Sequence, residues 1–180
     1  MVFTGSWEKD YQYYLDVIQP ILIKNFNFPG KIIHRKDDNS LRFRIFRKGI
    51  FSFLIESGFK FGPKSDNVNI PLSILDNISL QKPFIRGLFN TDGTIYKRYS
   101  KQYKNHPKLY SKYNVIQFKS VSPKLIEQLH LILANLGFNP NKITKTDNAW
   151  VCRITSQEEI NKFNKEIITN HAYHIKRALL

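Results

Sequence analysis

Ile85-Arg86-Gly87-Leu88-Phe89-Asn90-Thr91-Asp92-Gly93 is an apolar helix pattern that runs straight into Asp-Gly. A carboxylate is thereby delivered at a helix C-terminus, where the negative end of the helix dipole disfavours it by roughly 0.3–1 kcal/mol. A bound cation explains an acid in that place better than stability does. Gly87 and Thr91 lie one turn apart and set small side chains on one face, with Leu88 beside them. Such a stripe lets a second helix backbone approach closely. Gly93 is expected to end the helix as a C′ glycine with positive φ.

Extended by one residue upstream and two downstream, the segment reads Phe84 to Ile95 and resembles the LAGLIDADG motif of homing endonucleases. That resemblance implies two such helices side by side, each offering its last acid to a divalent cation, Mg2+ or a similar ion, at the scissile phosphates. The acid carried over is Asp92, joined as a metal ligand by the backbone carbonyl of Thr91. Gly87, Leu88 and Thr91 would form the motif-helix interface. Asn90 stands where the family name has its earlier aspartate, a position that is not the metal ligand.

Composition points the same way. There are 28 Lys+Arg against 14 Asp+Glu, a formal charge of +14 over 180 residues, and an imbalance of that size suits a polyanionic partner. Hydrophobic residues at 42% and aromatics at 14% supply a core, so the chain reads as a folded basic protein. No run of about 18 apolar residues and no signal-peptide pattern occurs, which implies an intracellular protein, in cytoplasm, nucleoid or organelle, without a membrane partner. The single cysteine, Cys152, lies among apolar neighbours and reads as a buried thiol.

Along the chain one pattern is met twice. A strand end at Val2-Phe3-Thr4 precedes a helix over 7–25, capped by Ser6 and kinked at Pro20. Strands over 31–35 and 41–46 follow, joined by an Asp37-Asp38-Asn39-Ser40 turn, then a helix over 49–57 and a helical turn near 72–78. The second pass opens with the motif helix over 81–92. Strands over 94–99 and 113–121 flank the basic, aromatic stretch 101–112. Ser122-Pro123 starts a helix that Gly137 stops. Strands over 142–146 and 150–155 pair across Asp147-Asn148, and a helix over 156–168 closes the unit. The resemblance implies an α+β fold of tandem αββαββα repeats with saddle-shaped antiparallel sheets. On that reading 1–80 is a partial first repeat lacking its motif helix, 81–170 a complete second repeat and 171–180 a tail.

Period-2 alternation separates the faces of each strand. Gln117 and Lys119, with Tyr113 and Val115, oppose Asn114, Ile116 and Phe118. Arg42 and Arg44 oppose Leu41, Phe43 and Ile45; Arg153 opposes Cys152 and Ile154; Tyr96 and Arg98 alternate with Ile95 and Lys97. Arginine pairs bidentately with guanine, glutamine with adenine, and lysine with guanine or phosphate. The DNA-binding set is therefore Arg42, Arg44, Tyr96, Arg98, Tyr113, Gln117, Lys119 and Arg153. The family places a basic or amide residue near the end of the strand before the second helix to organise attacking water. Lys119 is the nearest candidate, and with Asp92 it makes the expected catalytic pair. His171 and His174 have metal-like spacing without companions, and a surface tail accounts for them.

The function implied is metal-dependent phosphodiester hydrolysis in double-stranded DNA. Two-strand cleavage needs two motif acids and this chain carries one, which leaves a homodimer through the motif helix, nicking, or binding without cutting. An intron RNA-binding maturase and a non-cleaving DNA-binding relic are the alternatives.

Overall fold

The computed structural model describes residues 1–59, 66–98 and 113–167. The basic stretch 101–112, the histidines of the C-terminal tail and the Gly/Pro/Lys connector residues 60–65 lie outside them.

β1 (Val2–Ser6) leads into α1 (Trp7–Tyr13) and α2 (Gln19–Phe26), with a π-helical turn over Tyr14–Ile18 between them. This is the expected Pro20 kink in a different form. Pro20 has no N–H to give, and the helix widens before it: the Gln19 N–H reaches back to Tyr14 O, five residues away. Ser6 takes the N-cap position without a side-chain cap bond; instead its N–H donates to Asp10 Oδ2 at 2.7 Å. β2 (Lys31–Arg35) and β3 (Ser40–Arg44) form a hairpin whose turn bends at Asn39, φ 49°. α3 (Lys48–Glu56) and the single turn α4 (Leu72–Leu75) complete this half.

The motif helix is α5 (Ile78–Asp92). It starts three residues earlier than its apolar pattern predicts, because Asn77 Oδ1 accepts the Ser79 N–H at 3.0 Å and caps it. β4 (Gly93–Arg98), β5 (Tyr113–Ser120), α6 (Pro123–Asn135), β6 (Thr144–Thr146), β7 (Ala149–Ile154) and α7 (Gln157–Glu166) follow. Ser122 caps α6 as expected, accepting from the Leu125 N–H at 3.3 Å, while its hydroxyl donates to Val68 O at 2.7 Å. Gly137 takes φ +75° after that helix.

Both sheets are antiparallel and open, with strand orders β1-β3-β2 and β4-β5-β7-β6. β1 thus corresponds to β5, β3 to β7 and β2 to β6, the repeat read from the sequence. One face of the second sheet gives Ile95, Ile116, Phe118, Cys152 and Ile154 to a core closed by Ile85 and Phe89 of α5, Leu129 and Leu133 of α6, and Ile160 and Phe163 of α7. A smaller core of Leu22, Leu41, Phe43, Ile45 and Ile50 underlies the first sheet. Asn90 connects α5 to the N-terminal helices: it is buried, and its Nδ2 donates to the Tyr13 hydroxyl at 3.2 Å.

Gly93 departs from expectation. Its φ is −80° and ψ 156°, so it is the first residue of a strand rather than a left-handed cap. A Cβ there would lie 2.3 Å from the Phe89 ring and 2.6 Å from Phe89 O. Glycine is needed for close approach, not for its dihedral freedom. At Gly87, by contrast, an added Cβ meets nothing within 4 Å.

Gly93→Ala should therefore cost about 1–3 kcal/mol through overpacking, whereas Gly87→Ala should raise stability by about 0.5–1 kcal/mol through helix propensity. Urea unfolding of the two variants at low protein concentration measures both; equal effects would contradict the asymmetry.

The register also sets Lys31 directly opposite Arg44, two cations side by side. Lys31→Met should raise the melting temperature at low salt, with the gain shrinking as salt screens the pair. Thermal melts at two ionic strengths test this, and a gain that does not depend on salt would contradict it.

Candidate nucleic-acid interface and metal-binding carboxylate

The outer faces of the two sheets are built by the same alternation that builds the cores. In the first sheet, Arg42 and Arg44 project away from buried Leu41 and Phe43. Cross-strand register adds Thr4 and Ile33 beside Arg42, and Val2 and Lys31 beside Arg44. Lys31 was not singled out from sequence, and only the register shows that it shares this face. Arg44 Nε is buried with no hydrogen-bond partner. A buried donor left unpaired, next to a second cation, is unfavourable in the free protein and fits an anionic ligand. Arg35, also on this face, is occupied by Asp37 and lies 3.7 Å from Asp38; its guanidinium holds the Asp37 carboxyl below the usual carboxylate range.

On the second sheet the outer face carries Thr94, Tyr96 and Arg98 from β4, Tyr113, Val115, Gln117 and Lys119 from β5, and Arg153 from β7. Val115 is 3% exposed, so it is an apolar floor among these polar groups. A concavity of about 400 Å³ opens there between Tyr96, Arg98, Lys142, Thr144 and Arg153. Lys142 and Thr144 are additions that the sequence pattern did not supply. Tyr113 lies at the far end, opposite Arg98.

α5 ends at the edge of this face. Gly93 pairs with Phe118, so Asp92 emerges beside Lys119. Both line one cleft of about 390 Å³ with Ser120, Phe84, Leu88 and Phe118. The expected catalytic pair is therefore brought to a single opening. Asp92 and Thr91 are exposed, and the Thr91 hydroxyl bonds to Gly87 O and Leu88 O at 3.2 Å and to Asp92 Oδ2 at 3.3 Å. The three interface candidates separate: Gly87 and Thr91 sit on the open side of α5, while Leu88 packs partly onto the helix's own core.

The donor set can be tested against a metal. Among the described residues no three His, Cys, Asp or Glu side chains converge. Burial pushes the Cys152 thiol up to about 12, so it supplies no thiolate. At the end of α5 what remains is one accessible carboxylate, Asp92. Mg2+ keeps several waters and binds through one or two carboxylates together with substrate phosphates. The end of α5 fits such an ion shared with a phosphate and does not fit a closed structural site.

Among the described residues, no helix is long and apolar enough to cross a membrane. No curated protein sequence matches the chain. Solved structures do. The homing endonuclease I-DmoI in complex with DNA and Mn is 21% identical and covers 95% of this chain and 81% of that one, with a TM-score of 0.62. The I-DmoI complex with DNA and Ca is 21% identical, covering 94% and 75%, TM-score 0.58. The N-terminal LAGLIDADG domain of DUF199/WhiA is 16% identical, covering 93% and 72%, TM-score 0.54. At these identities the likeness shows the fold. The sequence profile of the LAGLIDADG-like domain matches residues 79–168, a span running from the first turn of α5 past the end of α7. With half its length matched by that profile and its fold shared with I-DmoI, the chain belongs to the LAGLIDADG-like family.

Proposed function

We propose that this protein binds double-stranded DNA across the outer faces of its two sheets and hydrolyses a phosphodiester bond at the end of α5. The observation that carries the proposal is the delivery of Asp92 and Lys119 into one cleft at the rim of a cationic sheet face. The matched I-DmoI structures hold DNA with Mn, Mg or Ca, and that chemistry suits the accessible carboxylate at the end of α5. Residues 1–80 and 81–170 act as the two DNA-straddling units.

In this mechanism Asp92, with the Thr91 carbonyl, would hold a divalent cation at the end of α5. The ion supplies phosphate polarisation and a more acidic bound water when present. Lys119 orients the attacking water and offsets charge on the phosphate oxygens. Arg42, Arg44, Lys31 and Arg98 position the duplex through its phosphates or base edges. The open Gly87–Thr91 face of α5 receives a second motif helix from another copy when both strands are cut.

Asp92→Asn keeps side-chain size and removes the charge a hard cation needs. We expect it to abolish Mg2+-dependent cleavage of supercoiled plasmid carrying the target, nicked and linear products alike. Duplex affinity should persist in a gel-shift assay. With 6–10 phosphate contacts, that affinity should fall by about 10³–10⁵ between 50 and 200 mM salt. Cutting by Asp92→Asn at the parental rate would overturn the catalytic assignment. A log–log salt slope near zero, or tighter retention of structured RNA than of duplex DNA, would overturn the DNA assignment.

A further inference from the structure

Gln117 occupies the middle of the second sheet's outer face, opposite Thr94 on one side and Arg153 on the other. Arg153 Nε donates to Gln117 Oε1 at 2.9 Å, and the Tyr96 hydroxyl donates to the same oxygen at 3.3 Å. A guanidinium has donors and no acceptor, so the amide orientation is settled: the carbonyl faces Arg153 and the NH2 group turns away from it. Both acceptor sites of that carbonyl are then filled within the protein. Arg153 is braced a second time, by its Nη1 donating to Thr144 Oγ1 at 2.9 Å. Two of its five N–H groups are committed to the sheet in this way, and the other three remain for a ligand at the concavity that Arg153, Tyr96 and Thr144 line.

Resting on the reading that this face meets duplex DNA, we infer that the Gln117–Arg153 pair selects guanine and rejects adenine at one base pair in the major groove. Guanine shows two acceptors there, N7 and O6, and no donor. Adenine shows N7 and an amino donor, and a glutamine normally answers both with its carbonyl and its amide. Here the carbonyl is spent on Arg153 and Tyr96. An adenine amino group would meet N–H groups and stay unpaired in a desolvated interface, which is unfavourable. The cytosine amino group is rejected for the same reason, and thymine offers a single acceptor. Guanine alone uses two outward donors together. Tyr96 and Thr144 act as positioning residues, since they fix the amide and the guanidinium before DNA arrives.

The test is selection from a randomised duplex library with the full chain, followed by sequencing of the bound fraction, in parallel for native protein, Gln117→Glu and Thr144→Val. Native protein should enrich guanine over adenine about tenfold or more at one position. Gln117→Glu keeps an acceptor for Arg153 Nε and turns the outward NH2 into a carboxylate oxygen. It should lose guanine at that position and gain cytosine there, with other positions unchanged. Thr144→Val removes one brace and should blunt the same position without changing the preferred base. Should circular dichroism show Gln117→Glu unfolded, Gln117→Met replaces it and should erase the guanine preference at that position. Native selection of adenine by this pair, or a profile unchanged in the Gln117 variants, overturns the inference. A salt titration on the same duplexes separates the two failures. Loss of duplex retention with a flat slope removes the DNA reading itself, whereas a steep slope with an unchanged profile removes only the guanine assignment.

Discussion

The ring of Phe89 pressed against the bare α-carbon of Gly93 determines where the Asp92 carboxylate sits. Phe89 is fully buried and makes edge contacts with Phe118 at 5.8 Å and Phe163 at 5.2 Å between centroids. α5 is therefore locked onto the same core that β5 and α7 share. Because Gly93 brings no Cβ into that contact, the chain passes from helix to strand with no connecting loop, and β4 starts in register with Phe118. Asp92, the last helical residue, has no freedom to fold back. It is presented beside Lys119, at the rim of the sheet face and clear of the core.

Charge is distributed by the same rule of alternation. The strands turn most of their large apolar residues to a core and leave Arg, Lys, Gln and Tyr on the opposite side, with Val2, Ile33 and Val115 among them, so two cationic faces arise without a segment devoted to them. The arrangement is unfavourable for the protein by itself. Lys31 opposes Arg44, and Arg44 Nε is buried without a partner. Such local conflicts are expected where a surface is made for a ligand rather than for stability. Elsewhere charges are matched: Lys82 and Glu166 pair at 2.6 Å, and Arg86 donates to the carbonyls of Glu166 and Ile167, tying α5 to the end of α7 away from the cationic face.

Much of this was legible in the sequence, and for identifiable reasons. Ser122-Pro123 and Gly137 delimit α6 through local capping chemistry, and the alternation of 113–120 with 150–154 gave the correct core face. The Asp-Gly step marked the end of α5 and the place where Asp92 is exposed. The glycine itself was misread, because sequence shows that a residue lacks a side chain but not whether sterics or dihedral angle requires it. The π-helical turn before Pro20 was read as a simple kink, since the missing N–H can be accommodated in more than one way. Partnerships such as Asn90 with Tyr13, Lys31 with Arg44 and Thr144 with Arg153 were invisible. They depend on strand register and on how the helices of the two halves meet, which no local period encodes.

Cation binding by Asp92 in the DNA-bound protein is the central proposal. Paramagnetic broadening by Mn2+ in amide spectra of the protein–duplex complex tests it most directly. Substoichiometric Mn2+ should broaden the amides of Thr91, Asp92, Gly93 and Lys119 first, and Asp92→Asn should abolish the effect while the duplex stays bound. Broadening centred elsewhere, for example on Glu158 and Glu159 at the start of α7, or broadening unchanged in Asp92→Asn, would contradict it.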